Sequence, residues 1–242
     1  MEADPRPTPS PLTLGELWPR VDTVPGWLTR DQAQDLWDAV ASAPADPVVV
    51  EVGSHHGRST VVLASARADV RVTAVDPFVT ARLFAGPSVR GAFEETVRRL
   101  GVADRVDLRP VPSRVARLAW RDGSVDVLYV DGKHDVRSLG DDLRWVDHVR
   151  PGGAVLVHDA FSSVGVTLGL LLLVLPRRRL RYTGRTGSLA SFVVGRPSAA
   201  DRARLLRELP WWLRNVGIKV LLRLRLRGVA RALGHDDPYD PY

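Results

Sequence analysis

The chain has no cysteine, one methionine and only two lysines among its 242 residues. Without cysteine there can be no disulfide scaffold, thiolate zinc site or cysteine nucleophile. Long hydrophobic runs are also missing. The longest, Val164–Leu175, is closed by Pro176 and by arginines 177–179, well short of the roughly 20 residues a bilayer-spanning helix needs. Residues 1–11 have no apolar stretch of secretory type and carry proline at positions 5, 7, 9 and 11. They read as a disordered lead-in without a signal peptide, and the expected location is cytoplasmic. Aromatic residues, at 7%, do not choose among ligand classes.

What is present suits a globular domain. Hydrophobic residues make up 45% and charged residues 26% of the chain, enough apolar surface to bury a core. The net charge of +6 is unevenly placed: residues 202–231 hold nine arginines and lysines against one acid, Glu208, and the last eleven residues hold three aspartates. The basic character belongs to a C-terminal segment, so nucleic acid is not an expected partner of the domain.

Thr29 and Gln32 have capping-box spacing ahead of a helix over 33–43. Apolar, β-branched runs then alternate with helical patterns. Strands are predicted at 48–52, 70–75, 106–111, 125–130 and 154–157, and helices at 59–68, 89–100, 136–149 and 164–175. A strand pair follows at 180–183 and 189–194. This order predicts an α/β fold with a mostly parallel sheet covered by helices on both faces. In such sheets ligands bind beyond the carboxyl ends of the strands.

Chemistry-bearing residues stand at those ends. Gly53 and Gly57 follow the first strand, where glycine permits a tight turn and close backbone approach to a ligand, although a plain strand–helix turn needs the same residues. Their spacing is not that of the dinucleotide fingerprint, which speaks against a dinucleotide oxidoreductase. Asp76 ends the second strand, 23 residues after Gly53, a separation that fits one strand–helix–strand unit. Its carboxylate can accept from both hydroxyls of a ribose or simply close a turn. Ser113 follows the third strand, as an adenine contact or a turn serine. Asp131 and His134 follow the fourth strand and His158 and Asp159 the fifth. Each alone reads as a cap or a solvated residue; together at neighbouring strand ends they suit a divalent cation with a nearby base.

The segments EVGSHHGRST, VDPF, VDVLYVDGKHD and VRPGGAVLVHDAF resemble the motifs of class I S-adenosylmethionine-dependent methyltransferases. Within that family they are most similar to the metal-dependent sugar O-methyltransferases of antibiotic and mycobacterial glycan pathways. The resemblance covers about residues 30–195. It implies a Rossmann-like seven-stranded sheet whose strand pair at 180–194 forms a reversed edge hairpin. It implies that Glu51, Gly53, Ser54, Gly57 and Ser59 surround the methionine part of S-adenosylmethionine, that Asp76 holds the ribose and that Ser113 lies near adenine. It implies a metal carboxylate at Asp131 and a general base at His134, with Asp159 and His158 as further metal ligands and magnesium as the metal. Where those relatives place two consecutive acids, this chain has His158-Asp159. A histidine there can ligate a softer ion or orient its neighbour.

The expected activity is methyl transfer to a hydroxyl of a sugar, glycan or glycolipid. A phenol or catechol acceptor, a Rossmann-like oxidoreductase and a non-catalytic interaction protein are the alternatives. The expected organisation is a lead-in over 1–28, a methyltransferase domain over 29–197 and a basic C-terminal segment over 198–242, in a homo-oligomer. In residues 204–234, Ile218, Leu222, Leu226, Val229 and Leu233 fall on one helical face with Arg223, Arg227 and Arg231 opposite, behind Trp211 and Trp212. This composition suits peripheral contact with the inner face of the cell membrane, and equally a helix packed on the domain or on another subunit.

Overall fold

The computed structural model describes residues 12–78, 88–176 and 179–233. The disorder expected for 1–11 and the acidic end after 233 lie outside the described residues. Seven strands, β1 (Val48–Val52), β2 (Arg71–Val75), β3 (Val106–Arg109), β4 (Val125–Val130), β5 (Val149–Val157), β6 (Leu180–Thr186) and β7 (Leu189–Val194), form one sheet in the order β3-β2-β1-β4-β5-β7-β6. β1 to β5 are parallel, and β7 runs antiparallel to both its neighbours. This is the expected Rossmann-like seven-stranded sheet with its reversed edge hairpin.

The strand sequences place alternate side chains on opposite faces, and each face has its own core. Val49, Val127 and Tyr129 pack under α1 (Leu14–Val21), α2 (Arg30–Ala41), α3 (Arg58–Ser65) and α4 (Val89–Arg99). Val50, Val52, Leu128 and Val130 pack against α5 (Ser113–Leu118), α6 (Val136–Asp142) and α7 (Val164–Gly169), with Trp120 and Trp145 edge to face at 5.2 Å. Each fully buried Val or Leu stabilises the fold by about 1.5–3 kcal/mol relative to exposure.

Several boundaries differ from the sequence reading. α1 was not anticipated, although Thr13 and Glu16 form the same capping box that Thr29 and Gln32 form at α2. The helix predicted over 136–149 ends at Asp142 and passes into a 3-10 turn, Leu143–Asp147. β5 then starts at Val149, through Pro151-Gly152-Gly153. Val149 pairs with Val125, and the register slips before Val127. Gly153 permits this route, because a Cβ there would lie 2.6 Å from Val149 Cγ1 and 2.9 Å from the Asp126 carbonyl. α7 continues as a π-helical stretch, Leu170–Val174.

The C-terminal residues form α8 (Ala199–Leu206), α9 (Leu209–Arg223) and α10 (Arg227–Ala232). The single amphipathic face read from the sequence does not form. Arg225 takes φ 61°, which breaks the helix, and α10 turns back so that the Arg214 guanidinium reaches the Leu233 carbonyl. Trp211 and Trp212 do not precede the helix. They lie in the first turn of α9 and lean on the core.

Candidate functional site

The strand order reverses between β1 and β4, where the crossovers leave to opposite sides and a crevice must open. Backbone bonds carry the ladder one residue past the strands: Gly53 N–H donates to Val75 O (2.9 Å), Asp131 N–H to Val52 O (2.7 Å) and His158 N–H to Val130 O (2.9 Å). Gly53, Asp131 and His158 are thereby aligned at the rim of a cleft of about 570 Å³. Gly53 has φ 89°, and a Cβ on it would fall 2.1 Å from the Asp131 carbonyl. Only glycine lets the β1 and β4 loops meet here.

Of the expected cofactor residues, Gly53, Ser54, Ser59, Asp76 and Ser113 line the cleft. Ser54 is buried, and its Oγ has no hydrogen-bond partner among the described residues. A buried hydroxyl in this state is short of a polar partner, and a bound ligand can supply one. Asp76 Oδ2 accepts from the backbone N–H of Ser54 (3.0 Å) and His55 (2.9 Å), and Oδ1 from Phe78 N–H (2.7 Å). A carboxylate has about four acceptor positions. In this conformation Asp76 mainly fastens the β1 loop and keeps one position open.

Glu51 and Gly57 do not line the cleft but sit beneath it. Glu51 is wholly buried and accepts from the hydroxyls of Ser59 and Thr60. Burial pushes its carboxyl up to about 7 against those two donors. Gly57, at φ 85°, is the N-cap of α3, with Phe93 3.1 Å from where its Cβ would be.

At the other end of the cleft stand Asp131, His134, His158 and Asp159. His134 Nε2 lies 3.0 Å from Asp159 Oδ2 and 4.0 Å from Asp131 Oδ1. The hydrogen bond to Asp159 raises the His134 imidazole above its ordinary range despite partial burial. His158 is buried beneath the pair. Its Nδ1 is 3.4 Å from Asp131 Oδ1 and 3.6 Å from Asp159 Oδ2. Burial alone would lower this imidazole, but the two carboxylates outweigh it and take it up to about 10. Burial pushes the Asp159 carboxyl up, yet the bonds from both imidazoles hold it well below the usual carboxylate range. Ligand atoms of Asp131, His134 and Asp159 all lie within 4.8 Å of one another. The trio able to share an ion thus includes His134, with His158 one layer below, against Gln32 Oε1 at 3.3 Å.

Sequence reasoning missed several residues of the site. Pro25, Gly26, Trp27 and Leu28 line the cleft because Arg58 ties down the segment after α1, bonding Asp22 (2.6 Å) and the Val24 carbonyl (3.0 Å). The Thr13–Glu16 capping box was the available signal for this ordered segment. Tyr129, from within β4, donates to Asp131 Oδ2 at 3.1 Å. Asp142 lies under Gly132, near the Ser113 hydroxyl that accepts from Trp145 Nε1 at 3.0 Å. Burial pushes the Asp142 carboxyl up to about 6.

Comparison with known proteins agrees with this fold. A family profile described as a methyltransferase domain matches residues 50–160, from β1 to the turn after β5. The chain is similar to such a domain over this stretch. Among solved structures, it is similar to cofactor-bound Rv0187 from MTB (TM-score 0.59, 20% identity, 76% of this chain and 90% of that one). It is also similar to SAH-bound methyltransferase PaMTH1 from Podospora anserina (TM-score 0.57, 14% identity, 75% and 87%). A third is the O-methyltransferase from Bacillus cereus in complex with SAH (TM-score 0.53, 18% identity, 75% and 90%). At these identities the likeness is one of fold.

Proposed function

We propose that the chain transfers a methyl group from S-adenosylmethionine to a hydroxyl oxygen of a sugar, glycan or glycolipid. One observation carries the reading: the switch-point cleft joins the Gly53–Ser54–Asp76 end to the Asp131–His134–Asp159 end in a single continuous space. When bound, the cofactor supplies a methyl group on a sulfonium, which an aligned oxygen nucleophile takes by in-line displacement, leaving a neutral thioether. The buried Ser54 hydroxyl without a partner supports its methionine end at the β1 loop. The open acceptor position on Asp76 supports one ribose hydroxyl, and Ser113 with Asp142 bounds the adenine end.

A sugar hydroxyl is a weak nucleophile and needs a base in reach. His134 suits that role: its side chain is 45% exposed to the cleft and its Nε2 is oriented by Asp159. The donor set also fits a divalent cation, because two carboxylates and an imidazole converge on one point, with the His158 Nδ1 beneath them. Asp131 and Asp159 would hold the ion, with His158 behind them. When bound, such an ion lowers the pKa of an acceptor hydroxyl and fixes its direction. Trp27, 69% exposed at the cleft mouth with its ring 6.2 Å from that of His55, offers an apolar face to a ring-shaped acceptor. That face also serves the second reading, a phenol or catechol.

Calorimetric titration with S-adenosylhomocysteine and, separately, NAD tests the class. Binding of the first alone supports methyl transfer, and binding of NAD alone returns the oxidoreductase. Chelation followed by magnesium or manganese add-back reads the metal role. Light scattering tests the homo-oligomeric state that belongs to this reading.

A further inference from the structure

The outward side of the C-terminal helices is unlike the rest of the surface. Leu213 and Val220 on α9 and Leu224 at its C-cap lie at seven- and four-residue steps and are 61%, 51% and 63% exposed. Such steps keep side chains on one helical face. Leu226, Val229 and Leu233 continue the exposed apolar surface across the break and along α10. The stripe differs from the one read in the sequence: Ile218 is fully buried and Leu222 is half-buried, so the inner face of α9 is the side packed on the domain.

Exposed arginines 207, 223, 225, 227 and 231 surround these side chains. The segment's one acid, Glu208, is engaged elsewhere: it accepts from Arg185 Nε at 2.6 Å and from the Tyr182 hydroxyl at 3.0 Å. These five exposed arginines therefore present positive charge beside exposed leucine and valine.

We infer that the outer side of α9 and α10 docks on an anionic lipid surface, the apolar side chains entering the headgroup boundary and the arginines meeting the acidic headgroups. A second copy of the chain fits less well, because pairing this face with itself would bring two positive surfaces together. Nucleic acid would account for the arginines and leave the exposed leucines and valines without a role. No helix among the described residues is long and apolar enough to cross a membrane, so the contact is peripheral. The opposite side of α9 reaches the site. Buried Asn215 donates to the Phe161 carbonyl (3.1 Å) and Lys219 Nζ to the Ser162 carbonyl (2.7 Å), in the loop that begins at Asp159. One helix diameter, about 10–12 Å, thus separates the docking face from the loop that follows Asp159. The inference adds a partner to the proposed function and does not depend on it.

Co-sedimentation of the full chain with vesicles of phosphatidylcholine, alone or mixed with phosphatidylglycerol, tests it. The wild type is expected to bind the anionic vesicles at least tenfold more tightly than the neutral ones. Two triple variants, Leu213→Gln/Val220→Gln/Leu224→Gln and Arg223→Gln/Arg227→Gln/Arg231→Gln, should each lose most of that binding while still taking up S-adenosylhomocysteine as the wild type does. Absence of wild-type binding to anionic vesicles overturns the inference. So does binding that survives both variants, a dimer abolished by the leucine variant, or tight binding of single-stranded RNA in place of vesicles. Vesicle binding by a protein that ignores S-adenosylhomocysteine would leave the docking surface standing and remove the methyl-transfer reading.

Discussion

At the β1 end of the cleft the groups in place are glycine backbone, small hydroxyls and a carboxylate already tied to three amides, whereas the β4–β5 end gathers two carboxylates and two imidazoles. The first end is set by steric fit. Gly53 has no room for a side chain, and Asp76 pins the loop. The second is set by charge compensation, since the Asp131 and Asp159 carboxylates sit against the His134 and His158 imidazoles. Binding and chemistry should therefore separate: damage at the β1 end should remove cofactor binding, and damage at the β4–β5 end should remove turnover with binding intact.

The largest effect is expected from Gly53→Ala. Its Cβ would overlap the Asp131 carbonyl at a φ that side chains avoid, so the strand ends must part. We expect a loss of about 3–5 kcal/mol in urea unfolding, or no measurable S-adenosylhomocysteine binding if the fold survives. His134→Ala comes next, with turnover lowered by roughly 10²–10⁴-fold and cofactor affinity within about twofold of wild type (~0.4 kcal/mol). Near-normal turnover at saturating acceptor would take the base role from His134.

Asp142 allows a comparison by pH. Its folded-state carboxyl is raised to about 6 from an ordinary 3.8, so the protonated form favours folding. That contribution is complete below about pH 4 and is lost as pH rises through 6. Asp142→Asn should flatten stability between those values and gain up to ~2–3 kcal/mol over wild type at pH 8, measured by urea unfolding at pH 4, 6 and 8. An unchanged pH profile would mean that Asp142 is solvated in the folded protein. The smallest effect belongs to Ser54→Ala. Its hydroxyl has no hydrogen-bond partner among the described residues, so stability should hold within about 0.5 kcal/mol while cofactor affinity falls by about 1 kcal/mol. Equal affinities would place the methionine end of the cofactor away from Ser54.

The sheet was legible because its strands are β-branched runs separated by patterned helices, and the strand-end rule then located Gly53, Asp76, Asp131 and Asp159 without coordinates. What stayed hidden depended on contacts distant in sequence. Arg58 draws residues 22–28 over the cleft, a link between segments more than 30 residues apart that no local pattern announces. The side of α9 that faces the core was misread because hydrophobic periodicity cannot tell an inward apolar face from an outward one when both carry leucine. The break at Arg225 had no glycine or proline to mark it. His158 was seen as a departure from a motif, yet its burial under Asp131 and against Gln32 emerges only when α2 packs on the sheet.

The central claim is that one cleft binds the methyl donor at its β1 end and performs chemistry at its β4–β5 end. Titrating S-adenosylhomocysteine into wild type, Gly53→Ala and Asp159→Asn tests it most directly. The account predicts saturable binding to wild type and to Asp159→Asn with similar affinity, and none to Gly53→Ala. Failure of the wild type to bind, or undiminished binding by Gly53→Ala, would contradict it.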